Sequence, residues 1–358
     1  MPKKGNKGEW SELYAFLKLL VDKKVYGADE NLQIMESLHY PIRKIFRKEG
    51  EEVKEYDVTM DDSKIKIITE EKEKVYNSDK IKKVINKIFS EIKEGNGASF
   101  QVDSAEEIMK ALDCKNLKAS SYDKADIVLL IHDMETKTNQ KDGFSIKSKV
   151  GRPSTLLNAS KSTNFEFIIE GCDDNFMNRI NSIEGRGSIM EKTKEIMENK
   201  NIKFNSVHSE TFEDNLTMID SSMPEILSNL LLSYYGERNK KIDKAIKELF
   251  EKEIVDKLTM NYKHYSHKVK RLLFAIALGM VPNTEWKGKL QAHGGYLIVR
   301  EDGEVVCYHV YNLEQFKEYL YRHTRFETAS TSRHDFGYIY KDEGKYYYKL
   351  NLQIRFTH

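Results

Sequence analysis

The chain has 358 residues, and its 39% hydrophobic and 11% aromatic content supplies enough apolar material for packed cores in two folding units. Lys and Arg number 58 against 57 Asp and Glu, so the whole-chain charge does not indicate nucleic-acid binding as a strongly basic chain would, and any DNA surface must arise from local segregation of charge. Three widely spaced cysteines without a CxxC pair exclude a disulfide framework and a structural zinc site, and they favour a reducing cytoplasmic location.

Hydrophobic periodicity predicts an N-terminal half that mixes helices with strands. The predicted elements, in chain order, are a helix from about Gly8 to Lys23, a hairpin from Val53 to Glu70, a helix at about Ser78 to Lys93, a helix from Ser104, the strands ADIVLLIHD and GFSIKSK, and a strand from Asn164. Ser104 and Glu107 show the spacing of a capping box. This mixture predicts an α/β architecture of the α+β type with a mixed sheet.

Beyond Gly171 the pattern becomes mainly helical, around Pro224 to Tyr235 and Lys240 to Leu258. The apolar run from Leu272 is about half a membrane span, so neither export nor membrane insertion is expected. Strands return in GGYLIVRED, EVVCYHVYN and a final hairpin, DFGYIYKDEGKYYYKLNLQIRF. We therefore expect two domains, residues 1–171 and 172–358, with the boundary between 171 and 200.

The two central strands carry residue types that suit metal-dependent phosphodiester hydrolysis, which needs carboxylates for a divalent cation and benefits from a lysine near the attacking water. A hairpin with Asp on one strand and (Asp/Glu)-x-Lys on the next supplies both, because alternate residues of a strand share a side. Asp126 and Lys147 stand in this arrangement, but Ser145 occupies the acidic position. From residue types alone, an ordinary hairpin with exposed Asp and Lys stays the more frequent interpretation.

Other acids could complete this site. Glu9 and Glu12 share one face of the first predicted helix, beside its apolar stripe, and Glu12 is the better candidate because Glu9 could merely cap the helix N-terminus. Asp133 is the alternative to Asp126, although strand parity turns it to the opposite face. Asp142 is expected to form the turn into the second strand.

Two hydroxyl-rich stretches are candidate DNA contacts. The first, KVGRPSTLLNASKSTNF, is dense in the short donors that suit phosphate oxygens. The second precedes a predicted strand and lies among arginines, the side chains that bind guanine edges in the major groove. The candidates are Arg152, Ser154, Thr155, Asn158 and Ser160 in the first stretch, and Arg325, Thr328, Ser330, Thr331, Ser332, Arg333 and His334 in the second.

A separate basic cluster, NYKHYSHKVKR, is expected to contact phosphates, although a solvated helix face is an equally ordinary interpretation. Its basic residues are Lys263, His264, His267, Lys268, Lys270 and Arg271.

Three blocks carry a family resemblance: GNKGEWSELYAFLKLL, DGFSIKSKVGRPSTLLNASKSTNF and FETASTSRHDFG. Together they resemble the HpaII family of type II restriction endonucleases, whose members cut DNA at CCGG. The resemblance implies a Mg²⁺-dependent nuclease with a PD-(D/E)xK-like core in residues 1–171 and DNA recognition in 172–358. It maps the catalytic Asp and Lys to Asp126 and Lys147, and Ser145 departs from the general pattern.

The same resemblance implies double-stranded DNA as substrate, Mn²⁺ as a substitute for Mg²⁺, and a companion DNA methyltransferase. A palindromic site makes a homodimer the natural arrangement, with a monomer as the alternative. Two other hypotheses stay open: a structure-specific repair nuclease on the same core, and a sequence-specific DNA-binding protein whose nuclease core has decayed. Ser145 keeps the hypothesis of a decayed core open, whereas the presence of both Asp126 and Lys147 argues against that hypothesis.

Overall fold

A computed structural model describes residues 3–119, 125–134, 137–238, 240–251, 261–309 and 312–357. The described chain forms two compact units. Unit 1 takes residues from 1–154 and 290–319, and unit 2 takes residues from 155–289 and 320–357. None of the helices in these described ranges combines the length and hydropathy that a membrane crossing requires.

The elements are named in chain order. The helices are α1 (Lys7–Asp22), α2 (Asp79–Glu94), α3 (Asp103–Ala111), α4 (Asp174–Asn181), α5 (Ser188–Asn199), α6 (Glu210–Ile219), α7 (Met223–Glu237), α8 (Ile242–Glu251), α9 (Tyr262–Ala277), α10 (Leu313–Arg322) and α11 (Thr331–His334), with a 3-10 turn at Lys161–Thr163. The strands are β1 (Lys24–Ala28), β2 (Ile34–Glu49), β3 (Glu52–Asp61), β4 (Lys64–Ile68), β5 (Glu73–Asn77), β6 (Ile127–His132), β7 (Asn139–Ser148), β8 (Thr155–Leu157), β9 (Asn164–Glu170), β10 (Asn201–Val207), β11 (Gly295–Val299), β12 (Val305–His309), β13 (Thr324–Phe326), β14 (Ile339–Asp342), β15 (Lys345–Asn351) and β16 (Ile354–Phe356).

Unit 1 is built on one sheet in the order β1-β12-β11-β7-β6-β2-β3-β4-β5, in which β1 also pairs with β2. Six strands therefore close into a barrel-like ring, and β3, β4 and β5 extend from β2 as an antiparallel ribbon. The pairs β1–β12 and β7–β11 are parallel and the others are antiparallel. The predicted α+β class with a mixed sheet is thus confirmed.

Helix α1 is the central helix of unit 1. Asn6 accepts a hydrogen bond from the Glu9 N–H, and the Glu9 carboxylate accepts one from the Asn6 N–H at 2.8 Å, so a capping box starts the helix. Its apolar face is fully buried in the core of the unit and includes Trp10, Phe16 and Leu20. Burial of side chains of this size contributes about 1.5–3 kcal/mol each, so α1 is held firmly in place.

Unit 2 contains a four-stranded sheet, β10-β9-β15-β14, and a three-stranded sheet, β13-β16-β8. Helices α4 to α9 lie in this unit. The predicted C-terminal hairpin is present as β14 and β15, and the chain then continues into β16. The helix predicted at Lys240 to Leu258 is present as α8, and residues 252–258 lie outside the described residues. Val310 and Tyr311, at the end of the predicted strand EVVCYHVYN, also lie outside them.

The compact units differ from the expected division at 171–200. Residues 155–171 belong to unit 2 because β8 pairs with β16 and β9 pairs with β10 and β15. Residues 290–319 return to unit 1 because β11 and β12 pair with β7 and β1. Such long-range pairing leaves no mark in local periodicity.

Two local predictions were wrong. Helix α3 begins at Asp103 after Val102 with no side-chain cap, so Ser104 and Glu107 form no capping box, and the Ser104 N–H instead donates to Glu91 at 3.2 Å. Asp142 lies within β7, which begins at Asn139, and not in the turn before it.

Candidate active site

Asp126 stands immediately before β6 and faces β7. Its Oδ2 atom accepts hydrogen bonds from the Ile146 N–H at 2.8 Å and from the Ser145 hydroxyl at 3.2 Å. Its own N–H donates to the Phe144 carbonyl at 2.9 Å, and its side chain is 11% exposed. The antiparallel β6–β7 hairpin therefore fixes this carboxylate through two hydrogen bonds, one of them from Ser145, and fixes the Asp126 backbone through a third.

Lys147 lies two residues after Ser145 in β7 and so shares its side of the strand. Its Nζ atom is 5.4 Å from the centre of the Tyr296 ring on β11, the neighbouring strand. Burial and the charge of Asp126 both raise the pKa of the Tyr296 hydroxyl. Asp126, Ser145 and Lys147 are thus brought to one region of the sheet.

Helix α1 delivers Glu12 to the same region. Next to it, the Ser11 hydroxyl donates to the Ser148 hydroxyl at the end of β7, at 2.9 Å. This contact, with the buried apolar face of α1, holds Glu12 beside the strand. Glu9 is instead engaged in the capping box with Asn6, so its role as a metal ligand stays a prediction.

The environment of Glu12 suits a bound cation. Burial and, after it, the nearby Asp126 charge raise the pKa of Glu12 from 4.5 to about 7, and this value already includes the lowering by Lys118 and Lys147. Its Oε2 atom is buried with no hydrogen-bond partner among the described residues. A carboxylate pair of this kind fits Mg²⁺, which is usually held by one or two carboxylates and keeps several waters. No cluster of three or more His, Cys, Asp or Glu side chains suited to a metal occurs in the described ranges.

Glu12→Gln is expected to stabilise the metal-free protein at pH 8. Because the folded-state pKa of Glu12 is about 7 against an ordinary 4.5, the folded protein binds more protons than the unfolded chain between these values. The free energy of unfolding therefore falls as pH rises from 4.5 to 7, and the full cost is present above pH 7. Removing the charge recovers at most about 3 kcal/mol, measured by urea unfolding in EDTA at pH 4 and pH 8.

The matched control is Glu9→Gln on the same helix. Gln retains a side-chain acceptor for the capping box, so this variant should show the pH profile of the unchanged protein. A Glu12→Gln profile that runs parallel to both would contradict the raised pKa.

A cleft of about 890 Å³ opens beside these residues in unit 1. Glu12, Lys147, Arg152 and Ser154 line it, together with residues at the start of α1 and the 95–98 loop. Two of the predicted phosphate-binding residues, Arg152 and Ser154, are therefore brought to the cleft that exposes Glu12 and Lys147. The volume of the cleft lies within the range of about 300–1,000 Å³ that is typical of ligand-binding cavities. It is therefore large enough to admit a sugar-phosphate segment.

The competing acids are placed elsewhere. Asp133 follows β6 at its far end, is 7% exposed, and its N–H donates to the Thr138 carbonyl at 2.9 Å. Asp142 pairs with the buried His309 at 3.4 Å between Nε2 and Oδ2. Asp133 is at the opposite end of β6 from Asp126, and Asp142 is engaged with His309, so the hairpin favours Asp126 as the site carboxylate.

The rest of the first hydroxyl-rich stretch belongs to unit 2. Thr155 pairs with Arg355 in the three-stranded sheet, and Asn158 is exposed. The backbone of Ser160 is used internally, because its N–H donates to Thr163 at 3.1 Å and its carbonyl accepts from Asn351 at 2.8 Å. The DNA contacts of these residues stay predictions.

The second hydroxyl-rich stretch lines a cavity of about 550 Å³ within unit 2. Arg325, Thr328, Ser330 and Thr331 are among its lining residues. Arg325 forms an ion pair with Glu327 at 3.0 Å, and Thr328 shares a hydrogen bond of 2.8 Å with Tyr234. Arg325 and Thr328 are therefore held in place by neighbouring side chains, as the recognition of bases requires.

Arg333 is placed differently from its prediction. It lies in α11, capped by Ser330, and β14 begins only at Ile339, so no strand follows it directly. The Arg333 side chain is exposed. The helix is nevertheless anchored, because the buried Asn164 donates to the carbonyl of His334 at 2.8 Å. Ser332 and His334 share this helix, whereas Arg325 lies in β13 and not in the same loop.

The basic cluster forms the first half of α9. Lys268 is ion-paired with Asp220 at 2.8 Å, and Lys270 lies 5.1 Å from the centre of the Tyr321 ring. The first turn holds no acidic residue, although the helix dipole favours acids there. This arrangement suits an anionic partner. The exposed basic side chains of the helix are Lys263, His264, His267 and Arg271.

Two residues in these regions were not identified as candidates from the sequence. Lys118 contacts both Glu12 and Asp126 but precedes the hairpin in a stretch without periodicity, so no signal marks it. Arg186 lines the cavity of unit 2 between Gly185 and Gly187, both with positive φ. A Gly-Arg-Gly triplet is a turn signal that could have drawn attention to it.

Comparison with known proteins decides the family. The model of the family described as HpaII restriction endonuclease matches residues 6–356. The chain belongs to the HpaII restriction endonuclease family. A curated relative, the type II restriction enzyme HpaII of Haemophilus parainfluenzae, is 42% identical over 98% of this chain and 98% of its own length. No solved structure gives a significant match. The predicted family and enzyme class, a restriction endonuclease, are confirmed.

Proposed function

We propose that this member of the HpaII family hydrolyses phosphodiester bonds in double-stranded DNA at a short palindromic site, CCGG, with Mg²⁺. The observation that carries the proposal is that Glu12 and Lys147 line one cleft in unit 1, while Asp126 and this same Glu12 share a contact with Lys118. In this interpretation the β6–β7 hairpin is a PD-(D/E)xK-like core. Ser145 stands where the motif has an acidic residue, and an acid on α1 takes over the role of that residue.

The carboxylates of Asp126 and Glu12 would hold the metal. A bound Mg²⁺ would neutralise developing charge on the phosphate and lower the pKa of a water. Ser145 positions Asp126 through its hydroxyl, and this serine is therefore a positioning residue and not a third acid. Lys147 orients the attacking water and offsets the charge of the scissile phosphate. Arg152 and Ser154, on the same cleft, hold the neighbouring phosphate.

Digestion of a plasmid of known sequence, with and without Mg²⁺, tests the proposal. Discrete fragments ending at CCGG are expected with Mg²⁺ and with Mn²⁺, and intact plasmid in EDTA. Cutting of branched but not linear duplex would instead support a repair nuclease. Specific retention of CCGG duplex without cutting in any metal would support a decayed core.

Arg333→Ala is expected to weaken binding to the CCGG duplex by about ten- to a hundredfold. A bidentate Arg–guanine contact is worth about 1–3 kcal/mol of discrimination, and Arg333 is an exposed side chain on the anchored helix α11. Binding to random duplex should change little. Titration of both duplexes in EDTA at two salt concentrations measures the difference.

The control is Arg179→Ala, which removes an arginine of the same unit that is ion-paired with Glu195 at 3.0 Å. Its affinity for both duplexes should match that of the unchanged protein. Equal losses on both duplexes in Arg333→Ala, with a salt slope lower by about one unit, would show a phosphate contact and pass base reading to Arg325.

A palindromic site favours a homodimer on DNA, with one protomer per half-site, over a monomer. Sedimentation of the protein with and without a CCGG duplex separates these two states. We also propose a cytoplasmic location and a companion DNA methyltransferase, because an active nuclease of this specificity would otherwise cut the DNA of its own cell.

A further inference from the structure

Lys118 lies against both carboxylates of the candidate metal site. Its Nζ atom is 3.4 Å from Glu12 Oε1 and 3.8 Å from Asp126 Oδ1. The carboxylates are largely buried, at 15% and 11% exposure, whereas the Lys118 side chain is 50% exposed. One ammonium group therefore bridges the acid pair from the solvent side.

The contact compensates a repulsion inside the site. The Asp126 charge raises the pKa of Glu12, and Lys118 is the first of the groups that lower it, ahead of Lys147. Both carboxylates in turn raise the pKa of the Lys118 ammonium. Lys118 is thus a cation that contacts both members of the acid pair.

We propose that Lys118 takes the place of the divalent cation in the metal-free protein and withdraws when the metal binds. The inference rests on the proposed function, in which Glu12 and Asp126 are the metal ligands. Mg²⁺ requires oxygen atoms at 2.0–2.1 Å, and a doubly charged ion between the carboxylates repels an ammonium that contacts both. The flexible four-carbon stem and half-exposed head of lysine allow withdrawal into solvent.

The Lys118 ammonium and the divalent cation therefore compete for the carboxylates of Glu12 and Asp126. Lys118 stabilises the empty acid pair and lowers the apparent affinity for the metal. An ordinary surface ion pair, by contrast, contributes little to stability and would leave metal affinity unchanged. Lys118 is therefore a positioning residue whose effect appears in metal binding and not only in cleavage.

Lys118→Met removes the charge and keeps the stem. Titration calorimetry with Mn²⁺ alone, without DNA, should show about tenfold tighter binding than in the unchanged protein. In EDTA the urea midpoint of this variant should fall, and excess Mn²⁺ should restore it. Lys118→Arg should stay near the original affinity, because it keeps the charge.

The matched control is Lys115→Met. Lys115 is three residues away and 66% exposed, and it lies 3.9 Å from Glu52. Its removal should leave Mn²⁺ affinity unchanged. Equal or weaker Mn²⁺ binding by Lys118→Met would overturn the inference.

Two further variants, Asp126→Asn and Glu12→Gln, distinguish a wrong choice of metal ligands from a wrong role for Lys118. Both should lose Mn²⁺ binding. If both bind Mn²⁺ as the unchanged protein does, the proposed ligands are wrong and the Lys118 inference falls with them. If both lose binding while Lys118→Met is unchanged, only the role of Lys118 is refuted.

Discussion

Asp126→Asn is expected to reduce DNA cleavage by at least about 10³-fold, equivalent to about 4 kcal/mol in the activation free energy. The asparagine side chain can keep an oxygen that accepts from the Ile146 N–H and the Ser145 hydroxyl. The geometry is therefore retained while the negative charge that would hold Mg²⁺ is lost. The initial rate of plasmid cutting at fixed Mg²⁺ measures the effect, and higher metal or Mn²⁺ should recover a trace.

Asp133→Asn is the matched control for this change. Asp133 lies at the opposite end of β6 and is buried away from the hairpin contacts of Asp126. Cutting should persist in any Asp133→Asn protein whose thermal unfolding shows that it is folded. Unchanged cutting by Asp126→Asn, with loss in Asp133→Asn, would move the site to the other end of the strand.

Local patterns were sufficient to place the candidate residues that lie on single elements. Helical spacing placed α1 within one residue of its bounds, and strand alternation placed Lys147 in β7 and Asp126 at the entry of the adjacent strand β6. The suggestion that Glu12 faces the hairpin followed from its position beside the buried stripe of the helix. These inferences need only the periods of a helix and a strand.

Contacts between distant segments could not be predicted in this way. The sixteen-residue β2 was missed because Pro41 and a register shift interrupt its alternation, although it closes the ring by pairing with β1 and β6. Nor does any periodicity indicate that β11 inserts beside β7, which brings Tyr296 to Lys147. The discontinuous composition of the two units has the same origin.

Ser145 illustrates what a motif alone cannot resolve. In the sequence it is a departure from the acidic pattern, and it supports the hypothesis of a decayed core. In the structure its hydroxyl donates to Asp126, and Glu12 from α1 supplies a second carboxylate to the region. Ser145 is therefore compatible with the proposed nuclease site, in which the second acid would come from another element.

Lys147→Ala is expected to abolish plasmid cutting, with a loss of about 10³-fold or more, while binding to the CCGG duplex is nearly retained. Lys147 lines the cleft with Glu12 and lies over Tyr296, so its charge is available to the attacking water and the scissile phosphate but not to base edges. Removing one phosphate contact lowers the salt slope of binding by at most about one unit. Cleavage rates and duplex titrations in EDTA measure the two effects separately.

Lys141→Ala is the control, because Lys141 lies on the same side of β7 and also sits over an aromatic ring, 3.8 Å from the centre of Phe46. It does not line the cleft that contains Glu12 and Lys147. This variant should cut at the original rate, which would show that loss in Lys147→Ala comes from that one ammonium and not from a weakened strand. Full cutting by Lys147→Ala would remove the lysine from the reaction, and a parallel loss of duplex binding would make it a DNA-binding residue instead.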